Sequence, residues 1–221
     1  MNIKFIFVSL YAFIVLSIGI LPMFLFKNKI HSLRKMWAYT MIKILGVDIE
    51  EIGKLNINAD IMILNHNSIL DFILLEHLHP KEISWVTKDT LSKLPLFGYI
   101  LKLPKLILID PTKRSSLKKL LHEVEQANKD QRPVAIFPEG RHGETHQVAN
   151  FQKGIKIVAE ELNLKAQVIV LTNTKKILDM KKCKASSGKI KVIYLDTFDT
   201  LKDDWFENVE HLVKTTYYQE I

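Results

Sequence analysis

From Phe5 to Phe26 the chain passes through 22 residues without a charged side chain, rich in Phe, Ile, Leu and Val. At about 1.5 Å per helical residue such a run covers a bilayer core of roughly 30 Å, so it predicts a retained membrane helix. A cleaved signal peptide would have a shorter apolar region and a small-x-small cleavage site, neither of which is evident. A buried helix of a soluble protein is the remaining alternative. Next, Ile30, Leu33, Trp37, Met41 and Ile44 follow at steps of three and four and trace one helical face. That face suits a lipid surface, with Trp37 and Tyr39 at headgroup level, or equally the core of the domain that follows. Pro22 and the Lys27–Lys29 junction would also let the first segment bend into a half-inserted hairpin.

Beyond residue 47 the pattern changes. Short β-branched runs at Ile61–Leu64, Ile83–Val86, Leu106–Ile109, Val134–Phe137, Val168–Leu171 and Ile190–Leu195 read as strands buried on both faces. Helical patterns lie between and after them, at Ser68–Leu78, Ser115–Asn128, Gly154–Leu162 and Trp205–Tyr218. The alternation predicts an α/β fold, with a mixed, largely parallel sheet flanked by helices and an N-terminal membrane helix or helical hairpin before it. Residues 1–47 are then a membrane anchor, an apolar helix plus a basic amphipathic one, and residues 48–221 an α/β domain. Lys175–Lys189 is polar and lysine-rich and reads as a surface loop that holds the single cysteine, Cys183.

Charge sharpens this division. The 221 residues hold 31 Lys/Arg and 24 Asp/Glu, a net charge of +7. Six basic residues (Lys4, Lys27, Lys29, Arg34, Lys35, Lys43) and no acid precede Asp48, so the remaining 174 residues carry 25 basic and 24 acidic side chains. The excess belongs to the N-terminus. Because most of it follows the apolar run, the positive-inside asymmetry predicts a membrane-anchored chain with its C-terminal domain on the cytoplasmic side, at the inner or plasma membrane in a bacterium. A nearly neutral domain without a nucleic-acid-reading signature argues against nucleic acid as a partner. A single cysteine excludes an intramolecular disulfide framework and any multi-cysteine metal site.

Two clusters carry candidate chemistry. Asn65-His66-Asn67-Ser68-Ile69-Leu70-Asp71 follows a strand and opens a helix, with Asn67 or Ser68 placed to cap it. His66 then sits at a strand's C-terminal end, where open α/β sheets bind ligands. Asp71, one turn into the helix, can accept from one imidazole nitrogen and leave the other as a base; a solvated histidine beside an unrelated first-turn aspartate is the plain alternative. Phe137-Pro138-Glu139-Gly140-Arg141-His142-Gly143 also ends a strand. Glycine allows close backbone approach to an oxyanion, Glu139 can fix a hydroxyl, and Arg141 offers a fork for phosphate; the alternative is a strand-to-loop turn with a solvated ion pair. His142 and His146 are four apart, but the order is not that of a zinc protease and Gly143 disfavours a helix there, so no metal site is expected.

Together these clusters resemble the glycerophospholipid acyltransferase family, and within it the 1-acyl-glycerol-3-phosphate type. Asn65, His66 and Asp71 match its N-H-x-x-x-x-D signature. Lys88-Asp89-Thr90-Leu91, followed by Leu96-Phe97-Gly98-Tyr99, is similar to the family's lysine-led helix and F-G-W segment. Leu106 to Asp110 resembles its second signature, Phe137-Pro138-Glu139-Gly140 its third, and Phe151-Gln152-Lys153-Gly154 its F-K-K-G. The sequence departs from the pattern in four places. Pro111 follows Asp110 where the family has arginine, with Arg114 three residues on; Lys105 replaces a glycine; Arg141-His142-Gly143 replaces Thr-Arg-Ser; and a proline near Val168 is missing.

The resemblance implies transfer of an acyl chain from a thioester donor, on acyl carrier protein or coenzyme A, to the sn-2 hydroxyl of 1-acyl-glycerol-3-phosphate. The product would be phosphatidic acid for phospholipid synthesis. His66 would be the catalytic base and Asp71 its partner. Asn65, Lys88, Arg114, Glu139, Gly140, Arg141 and Lys153 would bind substrate, with the Gly140 amide or Lys88 on the oxyanion. No metal or organic cofactor is implied; the partners would be membrane lipids, the lysophospholipid acceptor among them, and the thioester donor. The departures leave open an acyltransferase for another lysolipid or an amino-acid lipid. A non-catalytic, membrane-tethered lipid- or nucleic-acid-binding module is the reading from another class.

Overall fold

The computed structural model describes residues 2–26, 29–90, 105–110, 112–113, 115–140 and 147–221, without the side chains at 16 and 18–24. The helices in chain order are α1 (Ile3–Leu25), α2 (Ile30–Leu45), α3 (Ile69–Leu78), α4 (Ser115–Lys129), α5 (Gly154–Glu161), α6 (Thr174–Ile177) and α7 (Trp205–Glu220). The strands are β1 (Val47–Ile52), β2 (Ile61–Leu64), β3 (Ser84–Lys88), β4 (Ile107–Ile109), β5 (Val134–Ile136), β6 (Lys165–Leu171), β7 (Leu178–Asp179), β8 (Lys184–Ala185) and β9 (Gly188–Asp199).

Period-two burial explains the central sheet. Ile61 and Ile63 of β2 enter one core while Met62 and Leu64 enter the other, and β6 divides Val168 and Val170 from Ile169 and Leu171 in the same way. A strand buried on both faces has no polar position to alternate with, hence the continuous apolar runs. Among the described residues the sheet has seven strands in the order β1-β9-β6-β2-β5-β3-β4. Pairings from β6 through β4 are parallel, β6 and β9 are antiparallel, and β1 is parallel to β9. Side chains of α4, α5 and α7 fill the first core, and α1, α2 and α3 contribute to the second. On α4, Leu120, Val124 and Ala127 form the buried stripe, and each fully buried Leu or Val stabilises the fold by about 1.5–3 kcal/mol.

The mixed, largely parallel sheet agrees with the expected fold. The spanning helix over Phe5–Phe26 does not receive the same support, because among the described residues no helix is long and apolar enough to cross a membrane. The start of α1 is docked on the domain. Phe5 and Val8 are buried in the second core, and the Asn2 side chain donates to the Ala185 carbonyl at 2.6 Å. The other face of these turns, with Ile3, Ile6, Phe7, Leu10, Phe13 and Ile14, is exposed. On α2 the buried face is Ile30, Arg34, Ala38, Met41, Ile42 and Leu45, rotated from the expected stripe so that Ile44 is exposed. Gly46 ends α2 in the left-handed region at φ 63°, its amide donating back to Ile42 and Lys43 carbonyls.

Four elements, in two regions, were not expected from the pattern. Strand β1 is a charged edge strand, held by Lys189–Glu50 at 2.9 Å and by its ladder to β9. The lysine-rich stretch read as a surface loop contains α6 and the antiparallel ribbon β7–β8. The expected segments Leu91 and Leu96–Tyr99, together with Pro111, Arg114, Arg141, His142, Gly143 and His146, lie outside the described residues.

Candidate active site

Strand β2 ends at Leu64 and α3 begins at Ile69, so the connection is only Asn65-His66-Asn67-Ser68. Each residue of this connection is tied down. The Asn65 carboxamide donates to the Leu171 carbonyl at 2.9 Å and accepts from the Leu171 amide at 2.8 Å. It therefore extends the β2–β6 pairing by one side chain. Ser68 is the N-cap of α3, accepting from the Leu70 amide at 3.2 Å and donating to the Leu178 carbonyl at 2.6 Å. Asp71 completes the capping box from the third helical position.

Asp71 is fully buried, and one of its oxygens serves three donors. Oδ2 accepts from the Asn67 amide at 2.7 Å, the Ser68 amide at 2.8 Å and His66 Nδ1 at 3.0 Å. A carboxylate is only an acceptor, so it selects the imidazole tautomer with the proton on Nδ1 and the lone pair on Nε2. The helix N-terminus and the two amides surround this carboxylate with donors. Phe137 lies flat on the imidazole, with ring centroids 3.7 Å apart and planes at 13°. The ring is thus held at its edge by Asp71 and on one face by Phe137.

Glu139 joins the two clusters. Its Oε1 accepts from the His66 amide at 2.7 Å and its Oε2 from the Ala149 amide at 2.7 Å. Burial raises its pKa above the usual carboxylate value, and the two amides and the His66 charge oppose that rise. Gly140 closes the turn in the left-handed region at φ 65°, with its amide donating to the Phe137 carbonyl at 3.1 Å. That amide, expected on the oxyanion, has its hydrogen engaged within the turn in this conformation. The Gln152 amide donates to the Pro138 carbonyl at 2.8 Å and lays the Phe151–Gly154 segment beside the same turn.

A cavity of about 610 Å³ opens against this assembly, lined by His66, Lys88, Gly140 and Gln152 together with an apolar wall that includes Leu117, Leu120 and Ile155. The expected residues thus separate by role. His66, Lys88 and Gly140 line the cavity, while Asn65, Asp71 and Glu139 stand behind it on backbone amides or the imidazole. Lys153 is exposed beside the wall, and Arg114 and Arg141 lie outside the described residues. The sequence reading missed Phe137 as a partner of the imidazole, and Lys113, Thr87 and Ser116 as further polar lining. An aromatic directly before Pro138-Glu139 was the one local signal for Phe137.

The chain as a whole is similar to known acyltransferases. The acyltransferase family model matches residues 48–175. A 1-acyl-sn-glycerol-3-phosphate acyltransferase of Helicobacter pylori (strain J99) is 31% identical over 218 residues, covering 95% of this chain and 92% of that protein. A protein of the same name from Saccharomyces cerevisiae is 28% identical over 152 residues, 66% of this chain and 50% of its own length. The crystal structure of the 1-acyl-sn-glycerophosphate (LPA) acyltransferase PlsC from Thermotoga maritima aligns with a TM-score of 0.80 over 98% of this chain and 96% of that one. At 17% identity that likeness concerns the fold.

Proposed function

This chain belongs to the acyltransferase family and is an O-acyltransferase; on that premise we propose that it acylates the sn-2 hydroxyl of 1-acyl-glycerol-3-phosphate from a thioester at a membrane surface. The observation that carries the reading is the Asp71–His66 pair at the mouth of a largely apolar cavity. His66 Nε2 takes the proton of the acceptor hydroxyl as its oxygen attacks the thioester carbonyl carbon. The tetrahedral oxyanion then collapses, the carbon–sulfur bond breaks, and the thiolate recovers the proton from the imidazolium. Asp71 holds the tautomer and offsets the transient positive charge. Lys88, exposed at the cavity wall, is the oxyanion and phosphate cation among the described lining residues that the family signature also contains.

No metal or organic cofactor enters this scheme, and acyl carrier protein or coenzyme A delivers the acyl group as a co-substrate. Membrane attachment is supported by the exposed apolar face at the start of α1 and by the basic residues of the first 47 positions. In this reading residues 48–221 work on the cytoplasmic side as a domain carried by residues 1–47, the side to which the basic residues after the apolar run point. General-base catalysis contributes about 10²–10⁴ in rate, so His66→Ala lowers kcat at least that far while the protein remains folded. Near-normal turnover of that variant would remove the mechanism. Mass-spectrometric assay of an acceptor panel tests the substrate. Transfer to lysophosphatidic acid and not to uncharged lysolipids is expected, and the reverse preference would move the assignment to another lysolipid or an amino-acid lipid.

A further inference from the structure

Residues 48–221 look electrically neutral as a whole, but the charge is not evenly distributed. Lys175–Lys189 holds six of the 25 basic residues and only Asp179 of the 24 acids, which leaves 19 basic against 23 acidic residues in the remainder. Asp179 is buried, and its carboxylate accepts from the Lys182 amide at 3.0 Å. The exposed charge of this segment is therefore positive. It is carried at the tip of the β7–β8 ribbon, where Met180, Lys181, Lys182 and Lys184 are exposed and the Cys183 amide donates to the Met180 carbonyl across a tight turn. Met180 is 56% exposed, an apolar side chain surrounded by lysines.

The ribbon touches two places that matter. Ala185 and Cys183 bond Asn2 at the start of α1, through the Asn2 amide to the Cys183 carbonyl at 3.2 Å and the Ala185 amide to the Asn2 side chain at 3.1 Å. The exposed apolar face of α1 begins one residue later, at Ile3. At its other end the Leu178 carbonyl accepts from Ser68, the N-cap of the helix that carries Asp71. An apolar face, a cluster of lysines and an exposed methionine thus lie in continuity at the catalytic end of the domain.

We propose that the β7–β8 ribbon is a contact site for anionic lipid headgroups, docking the catalytic end of the domain onto the membrane that α1 engages. This rests on the membrane attachment proposed above. Amphipathic elements bind lipid through an apolar part entering the acyl boundary and lysines reaching headgroups. Each lysine near an anionic surface contributes about fivefold to partitioning.

The test uses the full chain with Cys183→Ser and Met180→Cys, which leaves one thiol at the tip for an environment-sensitive fluorophore. Vesicles of phosphatidylcholine are compared with vesicles containing a third phosphatidylglycerol, and bound protein is scored by flotation. On anionic vesicles the tip probe is expected to shift to the blue and to be quenched by headgroup-level nitroxide lipid. In the unlabelled chain, Lys182→Gln with Lys184→Gln lowers partitioning to anionic vesicles by about tenfold or more. It leaves binding to neutral vesicles and turnover of a water-soluble short-chain acceptor unchanged, and the corresponding arginine pair retains the affinity. Bound protein whose tip probe stays solvent-like, or a glutamine pair that partitions like the parent chain, overturns the proposal. So does a glutamine pair that floats normally but loses transfer only from acidic carrier protein, which would make the ribbon a protein-docking site. A chain that floats with neither vesicle type overturns the membrane attachment itself.

Discussion

Three hydrogen bonds converge on a single oxygen of Asp71, two from the backbone of the loop it caps and one from the His66 ring. The residue therefore builds the loop and selects the tautomer with the same atom. Asp71→Asn retains a carbonyl acceptor but loses the charge that offsets the imidazolium. Its kcat is expected to fall by about 10³–10⁴ with KM little changed, measured by steady-state kinetics. Glu139 acts one step further back, since its carboxylate holds the His66 amide in place. Its pKa is raised from 4.5 by burial, so the folded chain binds that proton more tightly than the unfolded chain. The contribution is fully present below 4.5 and is lost as pH rises through the raised value. Glu139→Gln flattens that slope in urea melts taken across the acid range. A glutamine oxygen accepts only one of the two amides, and the loosened loop lowers kcat by about tenfold.

At the scale of elements, α2 and α3 are joined by a buried ion pair between Arg34 and Glu76. Trp85 of β3 donates its indole hydrogen to the same Glu76 oxygen at 2.5 Å, and stacks on Phe137 with centroids 5.4 Å apart. Removing one member leaves a charge stranded in an apolar core. Arg34→Met or Glu76→Leu alone is expected to cost about 3–5 kcal/mol in chemical denaturation, and the double substitution to regain most of it. The C-terminal end of α3 adds an acid-sensitive contact. Burial pushes His79 down to about 4 from 6.5, so the unfolded chain protonates first. Its stabilisation is present above 6.5 and lost as pH falls toward 4, roughly 3 kcal/mol in all. His79→Gln removes that part of the pH dependence, read from unfolding free energies at the two ends of the window.

At the scale of the whole molecule, one end of the domain gathers the His66–Asp71 loop, the lysine ribbon and the start of α1. Phe7 and Leu10 lie on the exposed side of that helix and contribute little to the core. Substituting both with serine is expected to weaken vesicle partitioning by about tenfold per side chain while leaving the melting temperature nearly unchanged, as flotation and calorimetry would show.

Much of this architecture was legible in the chain. Strand β2 coincides with the run Ile61–Leu64, and the cap, loop and helix from Ser68 to Leu78 follow from local chemistry that acts within a few residues. Strand β1 was not legible, because its charged Asp48, Glu50 and Glu51 lie at a sheet edge where the ladder to β9 and the Lys189–Glu50 ion pair hold it. The buried face of α2 was misplaced for a related reason. Arg34 looks like a surface residue until Glu76, 42 positions away, is found opposite it.

Periodicity, capping and the paired signatures are local or ordered properties, so the sequence by itself determined the α/β class, the His66–Asp71 candidate and the basic N-terminus. Contacts between distant positions exist only once the sheet has assembled. Glu139 reaches the His66 amide across 73 residues and Asn2 reaches the ribbon across 183, and no pattern within a strand or a turn encodes either meeting. Only the tertiary structure decided that Glu139 supports the His66 loop, that Phe137 covers the imidazole, and that the lysines of an apparent loop lie beside the apolar helix.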